Sequence, residues 1–233
     1  MADGMYVSMA GAVARERQLD SIADNLANAT TPGYKASRPV FDTILAEEGS
    51  IRAYPRAMGT GTDLKPGPTQ VTGNPLDVLP EDGNFLAVRK DDGSTAYTRD
   101  GRLQVDANGT VRAAGLPVLS RDGGTFSIAP QTSLSITAEG MMMSDGQEIG
   151  RLGTFKLTGQ TTRLGSSLIS ANPDQVAQTD SRVVTGAVEQ SNHSALESMV
   201  EMVSAQRNFE ASMQAIDAYK KIGDRSNELG RVR

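Results

Sequence analysis

From Asp3 to Ala29 the chain carries no proline, and Met5, Met9, Ala12, Leu19, Ala23 and Leu26 recur at alternating four- and three-residue intervals, with Glu16 the one polar member of the row. This spacing predicts an amphipathic helix of about 25 residues, ~38 Å long. Asp3 is placed to cap its start; Pro32, which forces Thr31 extended, and Gly33, free to turn left-handed, end it. The far end of the chain has the same character. Ser194-Ala195-Leu196-Glu197 has the spacing of a capping box, and the proline-free stretch after it predicts a helix from Ala195 to near Leu229. At about 100° per residue, Leu196, Met199, Val200 and Val203 share one face, and Met202, Phe209, Met213 and Ile216 share a second. One partner helix cannot cover both faces, so the pattern points to a helix that meets several neighbours, as in self-assembly.

The middle changes period. Turn signals recur at Asp82-Gly83, Asp92-Gly93, Asp100-Gly101, Asn108-Gly109, Asp122-Gly123 and Asp145-Gly146, separated by short β-favouring runs such as Phe85-Leu86-Ala87-Val88 and Thr154-Phe155-Lys156-Leu157. The expected fold is α+β, with N- and C-terminal helices packed as a coiled coil or bundle and a central antiparallel β-rich domain. Its parts are residues 1–35 (first helix), 36–190 (linkers and β-domain) and 191–233 (second helix). Residues 50–75, rich in Pro and Gly, and residues 158–187, polar and rich in Ser and Thr, read as extended connections.

Composition narrows the function classes. Of 233 residues, 38% are hydrophobic but only 4% aromatic, with no Trp, so the core is built from aliphatics, Ala and Met. The 23 basic and 28 acidic residues leave a net charge of −5, with no basic run longer than two, which argues against nucleic-acid binding. No stretch approaches the length of a membrane span, and the first residues lack the pattern of a cleaved secretory signal. Absence of Cys removes thiolate chemistry, disulfides and Cys-type zinc sites. The one histidine, His193, would have to carry any His-based catalysis or metal site alone and is better placed as a helix-entry residue. Asp106 to Val111 touches a calcium-loop pattern, yet Val111 stands where Gly is needed and no Glu closes it; a hairpin turn explains it better. The Met141-Met142-Met143 run, on a strand, alternates faces and belongs to the core or an edge. No catalytic, cofactor-binding or metal-ligating set emerges, and no enzyme is expected.

Leu19-Asp20-Ser21-Ile22-Ala23-Asp24-Asn25-Leu26-Ala27-Asn28, continuing through Thr30-Thr31-Pro32-Gly33-Tyr34-Lys35, resembles the N-terminal signature of bacterial flagellar rod and hook proteins, with Asp24 its departure from the usual Asn. Gly73-Asn74-Pro75-Leu76-Asp77-Val78 and Ala96-Tyr97-Thr98-Arg99-Asp100-Gly101 resemble that family's middle motifs. Gly186-Ala187-Val188-Glu189-Gln190-Ser191-Asn192, with Met199 to Val203 and Gln206-Arg207-Asn208-Phe209-Glu210, resembles its C-terminal signature. Phe85 to Val88 and Ile149-Gly150-Arg151-Leu152 are closer to the proximal-rod type than to the distal type.

The resemblance implies a structural subunit of the basal-body rod, at the proximal position, with a distal position or a secreted adhesin as alternatives. It implies partners among other rod proteins and copies of itself, passage through the flagellar type III export apparatus, a final place in the periplasmic basal body, and no cofactor. The residues expected at the assembly interface are Met9, Leu19, Ile22, Asn25, Leu26, Asn28, Gly33, Tyr34, Leu196, Met199, Met202, Val203, Gln206, Phe209, Met213 and Ile216. Among them Asn25, Asn28 and Gln206 are candidates for fixing helix register, since a buried amide accepts few partners.

Overall fold

The computed structural model describes the backbone of residues 2–45, 53–129 and 132–231 and the side chains of residues 8–40, 60–129 and 132–225. The side chain of the heptad position Met5 and residues 50–52 of the expected first connection therefore lie outside what is described. Helix α1 spans Ala2–Ala27 and helix α2 spans Ala195–Arg231, starting directly after Ser194 as the capping-box spacing predicts. Both ends of α1 fall within two residues of the expected bounds, because Pro32 and the left-handed Gly33, at φ +70°, stop the helix. The chain is α+β.

The residues group into two compact units. The first holds α1, α2 and the paired strands β1 (Ser37–Leu45) and β2 (Ala53–Thr62), less the last residue of β2. In it α1 and α2 lie against one another, and β1 packs on α1. Part of the expected Pro/Gly-rich connection is thus strand: β2 takes in Pro55 and Gly61.

The second unit, residues 28–36 and 62–194, holds the remaining sheets. After β3 (Thr69–Val71) and β4 (Val78–Pro80) come β5 (Phe85–Arg89) and β6 (Thr95–Thr98). A six-stranded sheet runs in the order Thr161–Arg163, Leu168–Ala171, β6, β5, Thr154–Leu157, Val176–Thr179, with every neighbouring pair antiparallel. Residues 158–187, expected as an extended connection, supply three of its strands: the outer two and Leu168–Ala171. Polar side chains suit such margins, where half of each strand faces water.

Strand β5 explains where the core sits. All of Phe85-Leu86-Ala87-Val88 is buried, because both faces of the sheet are covered. Leu86 and Val88 join Val78, Val111, Val118, Phe126 and Met142 on one side; Phe85 and Ala87 join Tyr97, Leu119, Leu157 and Ile169 on the other. Of the methionine run, only Met142 is buried, as strand alternation requires. Tight turns fall at five of the six expected glycines, Gly83, Gly93, Gly109, Gly123 and Gly146 having positive φ; Gly101 makes no turn and instead packs against the Val78 backbone, where a Cβ would not fit.

Candidate functional site

The end of α1 is fixed to β1 by two side chains one turn apart. Asn25 and Ser21 share a helix face, and Asn25 grips Ser37 at both polar atoms: the Ser37 N–H donates to Asn25 Oδ1 (2.8 Å) while Asn25 Nδ2 donates to the Ser37 carbonyl (2.9 Å). Ser21 Oγ adds a third bond to that carbonyl (3.0 Å). The amide acts as a one-residue strand partner and ties β1 to α1 within the chain. Asn25→Ala leaves the buried Ser37 N–H without its acceptor and is expected to cost about 1–3 kcal/mol, measured by chemical denaturation. Gln206 is exposed on α2.

In the second unit the turn after α1 is built from the Thr31 N–H bonded to the Asn28 carbonyl (3.0 Å), and the Tyr34 N–H to the Thr31 carbonyl (3.2 Å). Tyr34 is fully buried; its hydroxyl accepts a hydrogen bond from Arg163, whose guanidinium lies 5.1 Å from the ring centroid. The Gly33 N–H donates to the Glu189 carbonyl (2.8 Å), and a Cβ on Gly33 would fall on the backbone of Arg99 and Asp100. Only glycine fits there.

Three charged side chains from distant parts of the sequence then meet out of water. Glu189 Oε1 accepts from Lys35 Nζ (2.5 Å) and from the Gly67 N–H (3.0 Å), and its Oε2 accepts from Arg99 Nε (2.8 Å) and Arg99 Nη2. All three residues are 3% exposed or less. Arg99 also donates to the carbonyls of Pro80 (2.8 Å) and Asn84, and Lys35 to that of Lys65 (2.6 Å). Lys35 Nζ and the Arg99 guanidinium stand 5.9 Å and 5.8 Å from the Phe85 ring centroid. Burial pushes the Glu189 carboxyl up, but Arg99 first and Lys35 second, with the Gly67 and Lys35 hydrogen bonds, hold it below its ordinary value. Lys35 is also lowered: burial, reinforced by Arg99, outweighs the pull of a carboxylate that it has to share. An open groove of about 640 Å³ borders the cluster, lined by Leu64, Pro66, Phe85 and Leu157 among others.

On α2, Leu196, Met199, Val200 and Val203 are 74%, 53%, 65% and 50% exposed, and Met213 is exposed as well. Met202, Phe209 and Ile216 on the other face are half-buried, with Ser198 and Ala205 fully so. On α1, Met9 is exposed, Leu19 and Leu26 are half-buried and Ile22 is buried. The expected interface residues thus split: Ile22, Asn25, Gly33 and Tyr34 are enclosed by their own chain, whereas Met9, Leu196, Met199, Val203 and Met213 face outward. Sequence reasoning missed Lys35, Arg99 and Glu189.

Among the described residues no group of three His, Asp or Glu could hold a metal ion, and no helix is long and apolar enough to cross a membrane. The arrangement holds segments together and presents an apolar stripe.

Three family models match the chain: Flagella basal body rod protein over residues 5–35, Flagellar hook protein FlgE/F/G D1 domain over residues 82–144, and Flagellar basal body rod FlgEFG protein C-terminal over residues 184–229. Each matched stretch contributes one member of the buried cluster: Lys35, Arg99 and Glu189 respectively. The chain is similar to the flagellar basal-body rod protein FlgF of Escherichia coli, at 32% identity, and to that of Salmonella typhimurium, at 28%, with 98% of both chains covered in each case. It is also 28% identical to the flagellar basal-body rod protein FlgG of Borreliella burgdorferi over 99% of this chain and 100% of that one.

Proposed function

From the premise that the chain belongs to the flagellar basal-body rod family, as a FlgF-like member, we propose that the outward stripe of α2 is the surface through which it joins its neighbours. It is a structural subunit of the proximal rod, located in the flagellar basal body, and it associates with other flagellar axial proteins. Its neighbours are copies of itself and related rod proteins; α1 and α2 form the axial part as a coiled-coil pair, and the β-rich unit belongs to the middle of the chain. It reaches its place through the flagellar export apparatus and performs no catalysis.

The observation that carries this reading is the row Leu196, Met199, Val200 and Val203, spaced to form one continuous stripe and at least half exposed. Four large apolar side chains facing water in one row are the mark of an interface that awaits its partner. Met9 and Met213 extend the apolar surface of the helical unit.

The paired substitution Met199→Asp and Val203→Asp tests it. Both positions are exposed, so monomer stability changes by no more than about 0.5 kcal/mol per site. In the assembled rod each carboxylate would be buried without a partner, at a cost of several kcal/mol. Expected is a soluble, folded variant absent from purified basal bodies; normal incorporation overturns the assignment of this face.

A further inference from the structure

Residues 63–68 cross the second unit with no regular secondary structure, and apart from the Lys65 N–H, which donates to Asp63 Oδ1 (3.1 Å), the backbone anchors on this strap go to one of two other segments. The Asp63 N–H donates to the Ala36 carbonyl (2.8 Å), and Lys35 Nζ to the Lys65 carbonyl (2.6 Å). Asn192 Nδ2 donates to the carbonyls of Asp63 (2.8 Å) and Lys65 (3.1 Å); the Gly67 N–H donates to Glu189 Oε1 (3.0 Å); the Gln190 N–H donates to the Pro68 carbonyl (2.8 Å). The other two segments are tied to each other as well. Asn192 Oδ1 accepts from the Ala36 N–H (2.7 Å), and the Glu189 carbonyl accepts from the Gly33 N–H (2.8 Å).

We propose that residues 33–36, 63–67 and 189–192 form a single latch that opens and closes as one body, with the Glu189 carboxylate as its keystone. The reasoning is that these bonds do not fail singly. Among the described residues Glu189 is the only anion in hydrogen-bond contact with Lys35, and Lys35 shares the Lys65 carbonyl with Asn192; without the charge on Glu189, two buried cations, 5.9 Å and 5.8 Å from the Phe85 ring centroid, lose the carboxylate they share. Lys35 then leaves for solvent and takes its strap contact with it. Pro66 and Pro68 stiffen the strap, so it lifts as a piece and not residue by residue. Leu64, which packs against the cluster of Phe85, Tyr97 and Leu157, is uncovered in the same step. The six-stranded sheet meets these segments through the side-chain bond from Arg163 to the Tyr34 hydroxyl and shares none of the strap's anchors.

Amide hydrogen exchange on the full chain tests this. Glu189→Gln keeps the shape but turns an NH₂ group toward the cations. The amides of Gly33, Ala36, Asp63, Gly67, Gln190 and Asn192 are expected to accelerate together, by about tenfold or more and by similar factors, through an opening whose denaturant dependence is common to all six and smaller than that of Val111, Leu119 and Ile128. Lys35→Met, which retains the neutral Arg99–Glu189 pair and so the fold, is expected to accelerate the same set by a smaller common factor. Acceleration of unrelated size at the three segments, a denaturant dependence as steep as that of Val111, Leu119 and Ile128, or no change in either variant overturns the latch.

Discussion

Glu189→Ala is expected to lower the stability of the unit formed by residues 28–36 and 62–194 by about 3–5 kcal/mol, because it strands two buried cations at once. Glu189 is 1% exposed and meets Lys35, Arg99 and the Gly67 N–H; no water can take over its four hydrogen bonds without opening the site. Chemical denaturation measures the loss, and a change below about 1 kcal/mol contradicts the account. The same group sets an acid response. Its folded pKa lies below the ordinary 4.5, so its contribution is complete above that value and is lost as pH falls through the folded pKa. The groups facing it are Lys35 and Arg99; Lys35 in turn also feels Asp63. Lys35 binds its proton less tightly folded than unfolded, so its own effect has the opposite consequence at high pH: stability rises as pH climbs from its folded pKa toward 10.5. The wild-type minus Glu189→Gln difference in stability is therefore expected to shrink on acidification and not at mildly alkaline pH.

Gly33→Ala is the second large effect, at about 2–5 kcal/mol. Part is the left-handed backbone at φ +70°, which costs an L-residue about 1–2 kcal/mol. The rest is the methyl group, which has no room between the backbones of Arg99 and Asp100. Gly73 separates the two contributions: it has φ +74° and nothing within 4 Å of the point a methyl group would occupy, so Gly73→Ala carries the conformational cost alone. Denaturation of the two variants side by side should place Gly33→Ala well below Gly73→Ala. Equal losses would mean that the turn after α1 does not depend on its contact with the Arg99–Asp100 backbone.

The long elements are legible in sequence because they obey local rules. The 4-3 spacing, Pro32 and the Ser194 cap act within a few residues of themselves, and α1 stops and α2 starts near those signals. The strands of residues 161–179 are not legible: Thr161-Thr162-Arg163 and Val176-Ala177-Gln178-Thr179 lie at the margins of the sheet, where alternation is diluted by polar residues on both sides. The buried cluster is hidden for a different reason. Lys35, Arg99 and Glu189 stand inside short family motifs, yet each looks like an ordinary surface charge, since such residues are rarely enclosed unless paired. The nearest signal is Ala187-Val188-Glu189, an acid closing an apolar run, all three residues of which are buried. Asn25 shows the middle case: that this amide is buried is legible, while its partner Ser37, twelve residues on, is not.

The chain contains no cysteine, so a single one introduced on α2 is the only thiol present. Val200→Cys, at a position 65% exposed, and Asp91→Cys, in an exposed turn of the β-rich unit, can be compared by maleimide labelling of the monomer and of purified basal bodies containing each variant. The account predicts that Cys at 200 labels readily in the monomer and is protected in the basal body, while Cys at 91 labels in both. Equal labelling at 200 in the two states would contradict the claim that this face of α2 is buried by its neighbours in the rod.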